Sequence, residues 1–461
     1  MIHATPAAAP NETPQRFRAL TRSNIVGTSA WERMPQDLRE AVRVVSTVLP
    51  FRTNEYVVEE LIDWSAVPND PMFQLTFPQR GMLTEADYQV MERMIRAGDE
   101  GAMQAAANEI RLRLNPHPAG QMTHNIPVFR GRPLSGAQHK YPETVLFFPS
   151  KGQTCHAYCT FCFRWAQFVG MEELKFANDE IDQLLGYLKE HKEVRNILFT
   201  GGDPMIMNAK ALARYVEPLL HPGLNHVHTI RIGTKSVAYW PQRFVTDPDA
   251  EDVLRLFERV TSAGRHLAIM GHYSHPVELS TAVAREAVRR IRSTGANIRM
   301  QSPVVRHVND DPNVWVKLWR TGVRLGCIPY YMFVERDTGA RNYFELPLVR
   351  CWEIYRNAYS RVSGLARTVR GPSMSAHPGK VHILGVHEMH GEKLFVLQYL
   401  QARNPALVRR PFFAKFDPQA VWFDQLQPAT DADRKFFAGP PRPQNVDRGL
   451  VNVGIAFVAD E

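Results

Sequence analysis

The stretch TCHAYCTFCFRW, from Thr154 to Trp165, holds three of the chain's five cysteines, Cys155, Cys159 and Cys162, spaced C-x3-C-x2-C. Three thiols inside eight residues point to a metal, because a disulfide framework would scatter its cysteines along a short secreted chain. Three ligands are nevertheless one short of the four that a structural zinc or an all-cysteine site requires. Zinc ribbons also pair one C-x2-C knuckle with a second, and the two remaining cysteines, Cys327 and Cys351, stand alone in apolar surroundings. The spacing fits a [4Fe–4S] cluster whose fourth iron is left open for a ligand. A zinc ion completed by His156, or three inert core cysteines, are the other readings.

The residues around this stretch define its setting. Short apolar runs alternate with amphipathic helical patterns: VLFF from Val145, NILFT from Asn196, HTIRIG from His228, HLAIMGH from His266, NIRMQSP from Asn297 and IPYYMF from Ile328. Strands alternating with helices predict a parallel sheet, and six of them predict an α/β (β/α)6 partial barrel. In such a fold chemistry gathers at the C-terminal ends of strands, and the cysteine loop follows the first strand directly. Before it, residues 15–135 form a region of mostly helical patterns (MPQDLREAVRVVSTVL, LPFRTNEYVVEELIDW, LTEADYQVMERMIRAGDEGAMQAAANEIRLRL) and a Pro/Gly/His-rich connector. Residues 1–14 are Ala/Pro-rich and expected to be disordered. The barrel core is expected over 136–385, and an irregular Pro-rich cap or tail over 386–461.

Composition narrows the function. The net charge is +8, from 55 Lys and Arg against 47 Asp and Glu, but no basic block or aromatic-basic repeat marks a nucleic-acid groove. No apolar run reaches membrane-spanning length and the N-terminus lacks a secretory pattern. A cytoplasmic protein is therefore expected, with no membrane or nucleic-acid partner.

A second motif, GGDP, ends the second strand with Gly201, Gly202 and Asp203. Glycines there let a ligand approach the backbone, and a carboxylate can receive an ammonium group. Together with the triplet it resembles the radical S-adenosylmethionine superfamily. From about Leu49 to Leu384 the landmarks LPFRTNEYVVEELID, NDPMFQLTFP, KYPETVLFF, CFR, GGDP, RIG, GHYSHP, QSPVVRHVND and PYYMF, in order, are similar to the lysine 2,3-aminomutase family.

That resemblance implies a set of roles. Cys155, Cys159 and Cys162 would bind the cluster. Gly201, Gly202 and Asp203 would hold S-adenosylmethionine, with His272 and Gln301 as further candidates. Arg164 would contact the substrate carboxylate. Lys140 and Tyr141 would hold the phosphate of pyridoxal 5′-phosphate, Tyr330 and Tyr331 would flank that coenzyme, and Lys380, after Pro378-Gly379, would bind it covalently. The implied partners are an amino acid, an electron donor such as flavodoxin or ferredoxin, and further copies of the chain. Three departures from the family stand out. SMSAHPG replaces the glycine run before the coenzyme lysine. No cysteine follows Cys351, so the family's C-terminal zinc cluster is missing. Arg336 and Arg370 fall where the lysine-specific enzymes carry aspartates, although Glu335 and Asp337 flank Arg336. Two cations in place of two anions predict a substrate other than lysine, with an anionic tail. The expected activity is an amino acid 2,3-aminomutase. The rivals are an epimerase or eliminase with the same cofactors, a radical enzyme without the coenzyme, and a non-catalytic iron–sulfur or zinc protein.

Overall fold

The computed structural model describes residues 16–114, 125–171, 176–179 and 181–437. The segment 1–14 lies outside them. The fold is mixed α/β, built on one 11-stranded sheet whose strands follow each other in sequence order. They are β1 (Ala137–Tyr141), β2 (Thr144–Phe147), β3 (Asn196–Phe199), β4 (Thr229–Thr234), β5 (His266–His272) and β6 (Asn297–Val304). The sheet continues through β7 (Ile328–Val334), β8 (Arg370–Ser375), β9 (Gly379–Met389), β10 (Glu392–Ala402) and β11 (Pro411–Lys415).

The six strands expected from the sequence are β2 to β7, and each pairs in parallel with its neighbour. Each crossover carries a helix whose apolar positions recur at helical spacing. Ala250–Ser262, for example, buries Val253, Leu256, Phe257 and Val260. The parallel run has a seventh member, β8, which RGPSMS conceals because it holds no β-branched or aromatic residue. The expected irregular tail is also corrected: β9, β10 and β11 form an antiparallel meander on the same sheet, with β9 running through the expected boundary at residue 385.

The sheet curls. The side chain of Lys140 on β1 donates to the carbonyl of Ala376, just past β8, at 2.7 Å. Seven strand spacings separate β1 from β8, which in a flat sheet is roughly 33 Å. The contact therefore requires the parallel run to bend round until its two sides meet. The concave face is polar: on β6 the half-buried Asn297, Arg299 and Gln301 alternate with buried Ile298, Met300 and Ser302. A parallel sheet is usually apolar on both faces, so polar side chains on one of them mark an interior kept for ligands.

The N-terminal region departs from the expected helices at one place. LPFRTNEY forms a strand, Arg52–Asn54, paired with Ala19–Thr21, and then a single π-helical turn over Val57–Leu61. Asn54 accepts from the Val57 amide at 3.0 Å, which starts the turn. Among the described residues no helix is long and apolar enough to cross a membrane.

Candidate active site

The cysteine loop follows β2 and is clamped from outside by the N-terminal region. The Tyr158 amide donates to the Arg52 carbonyl at 2.8 Å, and the Thr160 amide to that of Leu75 at 3.0 Å. Asn54 Nδ2 donates to the carbonyls of His156, at 3.2 Å, and Tyr239, at 3.0 Å. The segments LPFRTNEY and NDPMFQL thus serve as the frame of the loop. The three thiols carry no disulfide. Burial holds all three above the usual thiol range, with neighbouring acidic groups and thiols adding to it, and Cys162 is pushed up to about 12. By accessible surface the three cysteines are half-buried, and their thiols lose their protons when a metal takes them up as ligands. Among the described residues no three His, Cys, Asp or Glu side chains converge on a point that could hold a single ion. Three thiols distributed along one loop suit a cluster, whose irons are themselves spread apart.

The glycines of GGDP make a close packing contact possible. A Cβ on Gly202 would lie 2.6 Å from the backbone N and O of Thr154, and one on Gly201 would meet the Gln153 side chain at 2.2 Å. They let the β3 turn press against the cysteine loop, and the Asp203 amide seals the contact by donating to Thr154 O at 2.7 Å.

The Asp203 carboxylate is buried and already holds five donors. Oδ1 accepts from the Met205 amide at 2.9 Å. Oδ2 accepts from Thr234 Oγ1, the Lys235 amide and Ser236 Oγ at 2.9 Å each, and from the Ser236 amide at 3.0 Å. It ties the end of β3 to the end of β4; Oδ2 is crowded with four donors, while Oδ1, with one, keeps a lone pair.

His272, Gln301, Tyr331 and Arg370 lie in register across β5, β6, β7 and β8. Gln301 Nε2 and His272 Nε2 are 2.9 Å apart. Burial, with Lys235 nearby, pulls His272 down to about 3, so the ring is neutral. Lys380, on β9, points back over the Tyr331 ring, with Nζ 4.3 Å from its centroid. Burial, reinforced by Arg231 and Arg370, pulls it down to about 8. Lys140 is pulled down to about 7 by burial and then by Arg403, Arg336 and Lys380. Tyr141 is held above the usual phenol range by burial.

Arg164 is buried against the Phe148 ring, 3.9 Å from its centroid, and falls to about 9 through burial, with Arg336 adding repulsion. Arg336 stands 5.6 Å over Phe163 and 5.8 Å over Trp422. Its Nε and Nη2 are buried without a hydrogen-bond partner, and its nearest carboxylate, Asp337, is 3.8 Å away. Glu335 and Asp337 line one small cavity together with Arg336, Arg341 and Glu345, so acidic and cationic side chains share this end of β7. Arg370 does not join Arg336. It sits on Tyr330 and Tyr331, 5.1 and 5.6 Å from their centroids. It pairs in register with Tyr331, five residues or roughly 16 Å along the strand from Arg336, so the two arginines form no single clamp.

Several residues carry parts of the site that sequence reasoning missed. Tyr239 reaches Cys159, Lys235 and Ser236 bind Asp203, and Arg403 braces the β8–β9 turn, which Lys140 also contacts, through the carbonyl of His377 at 3.1 Å. The run GTKS at the end of β4 was the one available signal, since polar residues at a parallel strand's end are where sites form.

Residues 144–246 match the family model described as a 4Fe–4S single cluster domain. The chain is 30% identical over 393 residues to an Aquifex aeolicus protein named "Putative L-lysine 2,3-aminomutase", covering 85% of this chain and 92% of that one. An L-lysine 2,3-aminomutase of Methanococcus maripaludis is 28% identical, covering 51% of each chain. A radical SAM methyltransferase structure from Sphaerobacter thermophilus aligns with a TM-score of 0.37 and 17% identity, covering 61% of this chain and 93% of that one.

Proposed function

This chain belongs to the lysine 2,3-aminomutase family of radical S-adenosylmethionine enzymes, and from its cation-lined interior we propose that it is a pyridoxal phosphate-dependent 2,3-aminomutase for an acidic amino acid. The curled sheet is the six-unit partial barrel of this reading, and β8 to β10 close its open side. The observation that carries the proposal is the charge of the interior. Arg336 lowers both Arg164 and Lys140, and Arg403 and Lys380 add to the effect on Lys140. Against these cations Arg336 has one carboxylate, Asp337 at 3.8 Å; buried cations in excess of their partners are costly, and anionic ligands resolve that cost.

The residues fit the three groups. Cys155, Cys159 and Cys162 would hold the cluster, and the main chain of Gly201 and Gly202, with His272 and Gln301, would face S-adenosylmethionine. Lys140, Tyr141 and Arg403 would cradle the coenzyme phosphate, with Tyr330 and Tyr331 beside its ring. When bound, the cluster with S-adenosylmethionine supplies hydrogen-atom abstraction, and the coenzyme supplies a conjugated carbonyl for the migrating amino group.

The chain's own residues supply binding and proton control. Lys380 sits in a dry cationic setting that keeps a substantial fraction of its amine neutral near physiological pH, as a lysine that bonds to a carbonyl must be. Arg164 receives the substrate's α-carboxylate, and Arg336, with two unpartnered donors, receives the distal one. Asp203 holds the β3 and β4 loops at a fixed separation, so that the two halves of the site face each other. The frame from Arg52, Asn54 and Leu75 holds the cysteine loop in place against β2.

The reading is tested by anaerobic reconstitution followed by a screen of the twenty amino acids for 5′-deoxyadenosine release. Glutamate or aspartate should give the largest response and lysine little. A best response to lysine would overturn the specificity, and full release by Cys159→Ala would overturn the cluster assignment.

A further inference from the structure

One buried phenol sits against the cysteine loop without a structural reason of its own. The short helix Ser236–Tyr239 follows β4 and ends on Tyr239, which is 1% exposed. Its hydroxyl lies 3.3 Å from Cys159 Sγ, and no other described residue hydrogen-bonds it. Phenylalanine would fill the same space, and a hydroxyl buried without a good acceptor is unfavourable. A neutral thiol is a weak acceptor. A thiolate bound to iron is a strong one and carries no proton, so in that state the phenol must be the donor.

Two further contacts tune this bond. Lys235 Nζ lies 4.5 Å from the Tyr239 ring centroid and is fixed there by Glu278 at 2.6 Å. A cation over the ring draws charge from it and strengthens the O–H as a donor. Asn54 ties the Tyr239 carbonyl to that of His156, next to Cys155, so helix and cysteine loop cannot move apart. Cys159 is thereby singled out: among the described residues, no side-chain hydroxyl hydrogen-bonds Cys155 or Cys162.

We propose that Tyr239 is a positioning residue for the cluster's redox chemistry: its phenol donates a hydrogen bond to the Cys159 sulfur and raises the cluster's reduction potential. The inference rests on the cluster reading above. A hydrogen bond to a ligating sulfur draws off negative charge and favours the more negative, reduced state. In the step concerned, one electron from a low-potential iron–sulfur or flavin donor takes the cluster from its 2+ to its 1+ state. No bond to Tyr239 forms or breaks, and its proton stays on oxygen.

The test uses the full chain, reconstituted anaerobically and titrated with dithionite-poised mediators while the reduced cluster is followed by electron paramagnetic resonance. Tyr239→Phe should load the same iron and sulfide as the wild type. It should lose one exchangeable-proton coupling in pulsed electron–nuclear double resonance, shift its midpoint to lower potential, and hold a smaller reduced fraction at a fixed potential. An unchanged midpoint with the coupling retained overturns the proposal. Should Tyr239→Phe fail to load a cluster, 2,3-difluorotyrosine at position 239 keeps the shape and strengthens the donor. It should shift the midpoint upward, and no shift overturns the proposal. A wild-type chain with no [4Fe–4S] signal would instead overturn the cluster reading itself, and this inference with it.

Discussion

Removing the Asp203 carboxylate separates a structural role from a cofactor-binding one. Asp203→Ala leaves two main-chain amides, those of Met205 and Lys235, without their acceptor in a buried setting, while the Ser236 amide keeps Thr234 Oγ1 at 2.9 Å. Each such orphan costs about 1–3 kcal/mol, so the two together cost at least roughly 2 kcal/mol. The two hydroxyls can turn elsewhere, since Ser236 Oγ also contacts His156 Nδ1 at 2.9 Å. Asp203→Asn keeps an oxygen for the four donors on Oδ2 but turns an NH2 toward the Met205 amide. It therefore costs about one orphan, roughly 1–3 kcal/mol. Differential scanning calorimetry of the cluster-free protein at one scan rate should rank the transition temperatures wild type, Asn, Ala, and iron loading should fall in the same order. S-adenosylmethionine affinity should hold in whatever fraction of Asp203→Asn loads a full cluster. Unchanged transition temperatures with abolished S-adenosylmethionine binding would refute the reasoning and return Asp203 to the cofactor's amino group.

Three other outcomes follow from the geometry. Gly202→Ala places a methyl 2.6 Å from the Thr154 backbone, so it should lower iron loading and cost about 1–3 kcal/mol through overpacking, whereas a fully loaded, equally stable variant would contradict the close approach. Lys380, lowered to about 8, is charged below that pH and neutral above it, so the rate of coenzyme capture should rise through about pH 8 and then level. An ordinary lysine would be about 300-fold less reactive at pH 7, and a rise confined to pH 10 or above would contradict the burial. Arg336→Gln should cut deoxyadenosine release with an acidic amino acid by about thirtyfold or more, from roughly 2–5 kcal/mol for an unpaired buried charge, and an unchanged response would move the distal site away from β7.

The fold was legible where pattern and burial agree. The six strands from β2 to β7 stand out because apolar runs facing the helices recur between amphipathic segments, and the C-x3-C-x2-C loop is recognisable because thiols at that spacing have few other uses. β8 was not legible, since Arg370, Gly371 and Pro372 carry no strand signal and pairing with β7 alone makes them one. Tyr239 was hidden for a related reason: a tyrosine on a short helix reads as core, and only the tertiary approach of the β4 loop to Cys159 gives its hydroxyl a purpose. Asp203 shows the limit of motif reading. The sequence tells where a carboxylate stands but not how many donors the neighbouring loop has already supplied. The arginine pair shows it again, because positions 336 and 370 are matched in chemistry and separated by register.

In the proposed reaction the amino group itself moves. This is tested most directly by incubating the reconstituted chain with S-adenosylmethionine, pyridoxal phosphate, a low-potential reductant and glutamate labelled with 15N, and locating the nitrogen by NMR. The 15N should be bonded to carbon 3 in a product that requires all three cofactors. Deoxyadenosine release with the label still on carbon 2, or turnover that is indifferent to pyridoxal phosphate, would contradict it.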